Sequence, residues 1–497
     1  MTVLYGLASV PLALHFLSVE EFGLFMLLIQ ISSYLSLVEI GMAGATARLL
    51  VDHKDNPNAG PYGSIISTGF AVFALQGVLI LAIGVFASSW LVHAAGVPVL
   101  LQPDATYLLR WLCVCFAAVT TLKMLNSVLY AHKRLDIING ITGFVMIFGL
   151  MVMAVVLSFE SGLKGLAIVF LLQACVTVAL QGIACWSLQL LPARTHWGRP
   201  TMSRFREMFV FAKDIFMFNI GNQVLEASQL IIVTRLMGLT AAATWSVGTK
   251  VFNLLYQLLT RIEGTAIVFF SEMMVRGEDE HLKFRFRQIY QISAAFAVCT
   301  LAVAIAINQP FVSLWAEPSL AWPTLLSAIS APVVFLNVVT RCHVDLILHT
   351  KKLLALRYLY VLEAVLFVAL CFWAVPSLGL YGVVLSSLLC VLLVRFGYTS
   401  WRVARYFQIP VSAVCWDWLR RSILAAAILS ISVATAGLIT QNLVTLPAQL
   451  FAALLWTGVP AVVVLLTVAM PKDARSEILQ TAAKHMPSLF VKRIFRL

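Results

Sequence analysis

Polar side chains recur at helical spacing inside stretches that are otherwise apolar. Lys250, Asn253, Gln257, Thr260, Arg261 and Gly264 fall three or four positions apart and so share one face of a helix. Asn219, Asn222, Gln223, Glu226 and Gln229 form a second such stripe, and Gln30, Ser33, Tyr34, Gly41, Gly44 and Arg48 a third. The chemistry they offer is binding. Arginine takes phosphate oxygens in bidentate fashion and lysine acts as a point charge, while Asn, Gln and Tyr supply the amide, hydroxyl and aromatic partners that sugars need. Arg48, Lys250, Arg261, Asn253, Gln257, Asn222, Gln223, Gln30 and Tyr34 are therefore the candidate substrate-binding residues. Glu39, Glu226 and Glu263, with Glu363 beside them, are candidates for coupling transport to a proton or cation, and Glu226 is also placed to pair with Lys250 or Arg261. The competing reading is that each charge pairs internally and holds helices together. That reading is preferred for Asn337, Arg341, Asp345 and His349, spaced by four so that Arg341 and Asp345 satisfy one another, and for Arg110 and Lys123. For Arg48, snorkelling to the headgroups is an equal alternative.

No constellation of a soluble enzyme accompanies these residues. There is no Gly-rich phosphate loop ending in Lys-Ser/Thr, no HExxH and no segment for a nucleotide-hydrolysing domain. No catalytic residue, metal or cofactor is expected, and ion coupling or downhill exchange is left as the driver in place of ATP. The nine cysteines lie almost all within apolar runs without a cluster of His or carboxylates, and read as small core residues.

The elements that must position the stripes are membrane helices. Hydrophobic residues make up 61% of the 497 positions and charged residues 11%, against roughly 25% charged in soluble domains. The formal charge of +12 sits in short gaps between apolar runs, so it argues for membrane orientation and not for a nucleic-acid partner. The pattern predicts an all-α polytopic protein of about fourteen transmembrane helices, near 1–17, 22–47, 64–92, 104–130, 137–158, 165–190, 212–234, 243–272, 287–307, 322–348, 354–375, 380–400, 421–440 and 446–470. The first run lacks a signal peptide's charged start and cleavage site and is expected to stay as a helix. Residues 2 to 17 rise only about 24 Å, so either that helix is incomplete or the start lies too far downstream.

Alternating the loops puts 27 of the 34 Lys and Arg on one side and leaves Lys164 and Arg235 on the other. By the positive-inside rule both termini are then cytoplasmic. The long basic stretches near 191–212 and 273–287 are expected as loops, with surface helices on an anionic leaflet as the alternative. Around Leu129 the sequence VLYAHKRLD matches ILHTKKLLA around Leu348, aligning Lys133 with Lys351, and the turn at Gly162 matches that at Gly379 at nearly the same offset. Two parallel six-helix repeats follow, 1–200 and 201–410, with helices 13 and 14 and a tail in 411–497, and with a substrate cavity expected between the two repeats.

The segment from Ser18, SVEEFGLFMLLIQISSYLSLVEIGMAGATARLL, resembles the early signature of the Wzx-type polysaccharide flippases. Glu20, Glu21, Phe22 and Gly23 match its acidic turn with an aromatic-Gly step, and Glu39, Gly41 and Arg48 the end of the following helix. The resemblance continues through the Tyr130–Arg134 loop, the Gly-Leu-x-Gly turns and the MGL at Met237, over residues 5–400. It implies kinship with lipid II flippases and multidrug exporters, and a cavity lined by the first, second, seventh and eighth helices. The expected function is movement of polyprenyl-pyrophosphate-linked oligosaccharide across the bacterial inner membrane for exopolysaccharide, capsule or O-antigen synthesis. Expected partners are that lipid-linked glycan, the bilayer, and a polysaccharide polymerase with its export machinery. The rivals are a cation-coupled multidrug exporter of the same superfamily and a membrane-embedded glycan polymerase.

Overall fold

The computed structural model of the protein describes residues 2–55, 60–159, 161–193, 195–350, 355–471, 473, 475 and 476. Of the basic-loop residues, Arg194, Lys351, Lys352, Lys472, Lys484, Lys492, Arg493 and Arg496 lie outside the described residues, as do the side chains of Lys213 and Arg357. Helices follow one another from the start: α1 Thr2–Phe16, α2 Val19–Ser33, α3 Met42–Val51, α4 Gly60–Phe86, α5 Ser88–Ala94, α6 Gln102–Thr121, α7 Lys123–Ala131, α8 Leu135–Leu157, α9 Gly162–Ser187 and α10 Met202–Met237. They continue as α11 Leu239–Gly248, α12 Lys250–Arg276, α13 Asp279–Trp315, α14 Thr324–His349, α15 Leu356–Leu378, α16 Leu380–Cys390, α17 Gly397–Tyr406, α18 Arg420–Thr440 and α19 Leu446–Val464. No strand occurs among the described residues. Eleven helical stretches among them are long and apolar enough to cross a membrane. The three expected spans that fall outside that set are the short α1 and the polar α10 and α12.

The chain forms two compact units, Met1–Ser246 with Ala355–Val383, and Val247–Leu354 with Val384–Leu497. These divide the chain by packing and cut it elsewhere than 200 and 410: α10 and α15 pack together in the first unit. The landmark glycines Gly162 and Gly379 both hold left-handed φ, 52° and 58°.

In the first unit α6 packs against both α4 and α9, α8 covers α9, and α10 lies against α2, α3 and α15. The residues that carry the family resemblance have structural work here. Ser18 caps α2, accepting from the Glu21 backbone N–H while the Glu21 carboxylate accepts from Ser18, which satisfies donors that a helix start otherwise leaves open. Phe22 is fully buried. A Cβ at Gly23 would strike the Leu239 carbonyl of α11, so only glycine permits that approach.

The second expected helix, 22–47, is not continuous. It passes from α2 into a 3-10 turn at Tyr34–Glu39, then through left-handed Ile40 (φ 51°) and Gly41 (φ 70°), before α3 begins. Glycine meets the second of these conformations without steric cost. The freed Glu39 carbonyl accepts from Gln76 Nε2 at 3.1 Å. The expected helix 104–130 also breaks, at Leu122 between α6 and α7.

The basic stretches are mostly helix. Thr201 caps α10 by accepting from the Arg204 N–H at 3.4 Å, so Arg204 and Arg206 lie on its first turns, and Arg204 pairs with Glu207 at 2.8 Å. The loop before it is tied to α4, where Tyr62 donates to the Leu190 carbonyl and Ser67 to that of Trp197. At the other stretch α12 runs on to Arg276, Gly277 (φ 71°) turns the chain, and Lys283, Arg285 and Arg287 sit on α13. Continuing the spanning helix keeps backbone groups paired where a loop would leave them to water.

In the second unit α13 is central, contacting α12, α14, α18 and α19. Phe286, Tyr290, Phe407 and Trp418 pack into its aromatic core with ring centroids 5.5–6.2 Å apart. Asn308, fully buried, donates to the Gly248 carbonyl at 3.2 Å and to Ser327 at 3.0 Å.

Candidate substrate site

The stripes of the second and seventh expected helices meet in the first unit at Ser33. Its hydroxyl accepts from Gln223 Nε2 at 2.8 Å and Gln30 Nε2 at 3.3 Å, and donates to the Gln30 carbonyl at 2.6 Å. One α10 turn away, Asn222 Nδ2 donates to the exposed Glu226 carboxylate at 3.0 Å. Tyr34 lines an apolar pocket with Ile31, Leu109 and Ile231. Arg48 is exposed on the last turn of α3.

Glu39 is held differently from the other coupling candidates. Its carboxylate makes an ion pair with Lys123 Nζ, the first residue of α7. The pair joins the break after α2 to the break between α6 and α7. The helical repeat foretold neither break.

In the second unit the α12 stripe is open. Lys250 is half-buried, while Asn253, Gln257, Arg261 and Gly264 are exposed in sequence along one face. Lys250 and Arg261 are three turns apart, about 16 Å along the axis, and neither has a carboxylate in ion-pair reach among the described residues. The helix has 27 residues, about 40 Å, enough to cross a bilayer core of roughly 30 Å. A charged face on such a helix is costly against hydrocarbon, about 2.5–3.5 kcal/mol per cation on insertion scales. If α12 spans the membrane, that cost is avoided only where the face meets water or a polar group.

Glu263 lies two residues beyond Arg261, about 200° round the helix. It is buried at 3% exposure beside Ser293 of α13 and Cys342 of α14, and among the described residues neither carboxylate oxygen has a hydrogen-bond partner. An uncompensated carboxylate in such a place calls for a proton or a cation. The expected Arg341–Asp345 pair forms at 3.1 Å. Asn337 accepts from Arg395 at 2.8 Å and His349 Nδ1 bonds Ser271 at 2.8 Å, so this set is occupied within the protein. The cysteines are free and mostly buried, and no group of metal-ligating side chains occurs among the described residues.

A family profile described as polysaccharide biosynthesis protein matches residues 14–316. The chain belongs to that family. The span covers α2 through α13, and hence all three stripes. No curated protein matches the chain. Among solved structures, an inward-facing multidrug resistance MATE family transporter of the MOP superfamily aligns with a TM-score of 0.73 at 12% identity, over 82% of this chain and 96% of that one. The lipid II flippase MurJ in an inward closed conformation aligns at 0.69 and 13% identity, over 93% of this chain and 96% of its own. A MOP superfamily transporter from Pyrococcus furiosus, reported with a binding pocket of reversed polarity, aligns at 0.58 and 14% identity over 82% and 93%. At these identities the likeness establishes the fold. This member of the polysaccharide biosynthesis family is a multi-pass membrane protein with the MOP transporter fold.

Proposed function

We propose that the protein is a flippase that carries polyprenyl-pyrophosphate-linked oligosaccharide across the bacterial inner membrane by alternating access. In this reading fourteen helices span the membrane, the basic ends and both termini are cytoplasmic, and 1–200 and 201–410 are parallel six-helix repeats followed by 411–497. The carrying observation is the α12 face. Two cations without carboxylate partners among the described residues flank the exposed amides Asn253 and Gln257. A passenger moving along it meets Arg261 and Lys250 in turn with its pyrophosphate while the amides exchange hydrogen bonds with sugar hydroxyls. Within the first unit Gln30, Gln223, Asn222 and Arg48 are further groups that this reading assigns to substrate. Family membership and the fold shared with MurJ support the reading. A drug exporter for organic cations would place acids where this face places bases.

Charge-assisted hydrogen bonds contribute about 1.5–3 kcal/mol each. Removing both cations should therefore slow transport by two orders of magnitude or more. The test is glycan export in cells carrying Lys250→Gln/Arg261→Gln in place of the native chain, with membrane protein levels measured alongside. Lost export at normal protein level, with lipid-linked repeat units held on the cytoplasmic leaflet, is expected. Export at the native rate would remove these two residues from the substrate path.

A further inference from the structure

Basic residues are scarce at the end of the helices remote from the basic loops. Lys164 and Arg235 are the ones that the loop alternation leaves there, and Arg110 lies about two turns inside α6 from the same end. Lys164 is paired with Asp104 at 3.1 Å. Arg110 and Arg235, both exposed, have no carboxylate in ion-pair reach among the described residues.

Both arginines stand next to the wall of one pocket of the first unit, Arg110 through Ser88 and Arg235 through Gly96. Arg110 Nε donates to Ser88 Oγ at 3.1 Å, and Ser88, itself fully buried, lines an apolar pocket of about 350 Å³ with Tyr34, Ile83, Leu91 and Ile231. Arg235 stands one helical turn beyond Ile231. Its side chain crosses Gly96, with Cδ and Nη1 at 3.1 and 3.4 Å from where a Cβ would sit, immediately after the pocket-lining Ala94 and Ala95. Trp90 at the pocket is 67% exposed, the placement of an aromatic anchor at the membrane–water boundary. An apolar hole thus has two exposed guanidinium-bearing residues next to residues of its wall.

We propose that this pocket binds the polyprenyl carrier itself in the leaflet opposite the basic loops. The pyrophosphate or phosphate lies on Arg110 and Arg235, and the first isoprene units fill the cavity. This rests on the flippase reading. Two arginine forks match the charge of a diphosphate better than that of a single phosphodiester. The cavity wall is apolar, which suits the first isoprene units. The site belongs to the first unit and α12 to the second, and it would hold the lipid after its sugar head has crossed.

The test uses the full chain in nanodiscs with a polyprenyl pyrophosphate probe that carries a photoreactive group in its first isoprene unit. Labelled peptides should cover residues 83–113 or 231–235. Unlabelled polyprenyl pyrophosphate should compete and phosphatidylglycerol at equal concentration should not. Labelling should fall at least tenfold in Arg110→Gln/Arg235→Gln, and also in Leu91→Trp, which fills the cavity and keeps both charges. Labelling confined to other segments, or equal competition by phosphatidylglycerol, overturns the site using the native chain alone, so no variant needs to fold for the proposal to fail. Export is followed in parallel. A native chain that sustains glycan export without labelling here removes only this site, whereas unchanged export in cells lacking the chain removes the flippase reading.

Discussion

Neutralising Lys123 alone should cost at least as much as neutralising both halves of the Glu39–Lys123 pair. The side chains retain 18% and 32% of their exposure, so the pair is neither a surface bridge contributing about 0–1 kcal/mol nor a sealed one, where loss of a partner costs about 3–5 kcal/mol. At an effective dielectric constant near 20 and 4 Å the gross attraction is about 4 kcal/mol, much of it offset by desolvation of both groups. A net coupling of about 1–2 kcal/mol is expected between the two sites. Lys123→Met leaves the Glu39 carboxylate uncompensated beside a broken helix whose carbonyl is already committed to Gln76, and should destabilise by about 2–3 kcal/mol. Glu39→Gln should cost about 1–2 kcal/mol because an amide still bonds an ammonium. The double variant should recover part of the Lys123→Met loss. The assay is a double-mutant cycle on reversible unfolding in mixed micelles. Additive losses, with a coupling energy below about 0.3 kcal/mol, would refute the idea that this pair clamps the two helix breaks together.

Two further outcomes test packing and coupling. Gly221→Ala should disrupt the α10–α15 contact, since its Cβ would stand 2.5 Å from the Tyr360 backbone carbonyl carbon, whereas at Gly149 the obstacle is the movable end of Gln173. Detergent-extracted Gly221→Ala should therefore lose monodispersity on heating well before native protein, and Gly149→Ala should lie close to native. Glu263→Gln should leave the fold and the α12 face intact, because the amide keeps the side chain's size and an oxygen for the neighbouring Ser293 and Cys342. Its transport should lose dependence on the imposed ion gradient. Native gradient dependence in vesicles holding this variant would rule Glu263 out as the coupling group.

The polytopic all-α architecture and the faces of α10 and α12 were legible in the sequence because both rest on local rules. A bilayer requires runs of about twenty apolar residues, and a 3.6-residue period decides which side chains share a face. The same reasoning fails where a helix changes course. Nothing in the spacing around Tyr34 requires the 3-10 turn or left-handed Ile40; those depend on Gln76 and Lys123 being present to take up the groups that the break releases. The basic segments after Thr201 and Gly277 were expected as loops because charge marks the membrane boundary, but charge alone does not end a helix, and helix continues through both.

Sequence by itself determined that this chain lives in a membrane, that most of its cations sit between apolar runs, and that α12 carries a polar stripe, since each of these follows from composition and periodicity. Tertiary structure decided which acids are engaged: Glu39 with a lysine 84 positions away, Glu226 with its neighbour Asn222, and Glu263 buried beside Ser293 and Cys342. It also brought Arg110 and Arg235 next to the wall of one apolar pocket, through Ser88 and Gly96. The reason is geometric. Periodicity fixes a residue's angle on its own helix, whereas its partner depends on the rotation and depth of a second helix, which only the packing of whole side-chain layers sets.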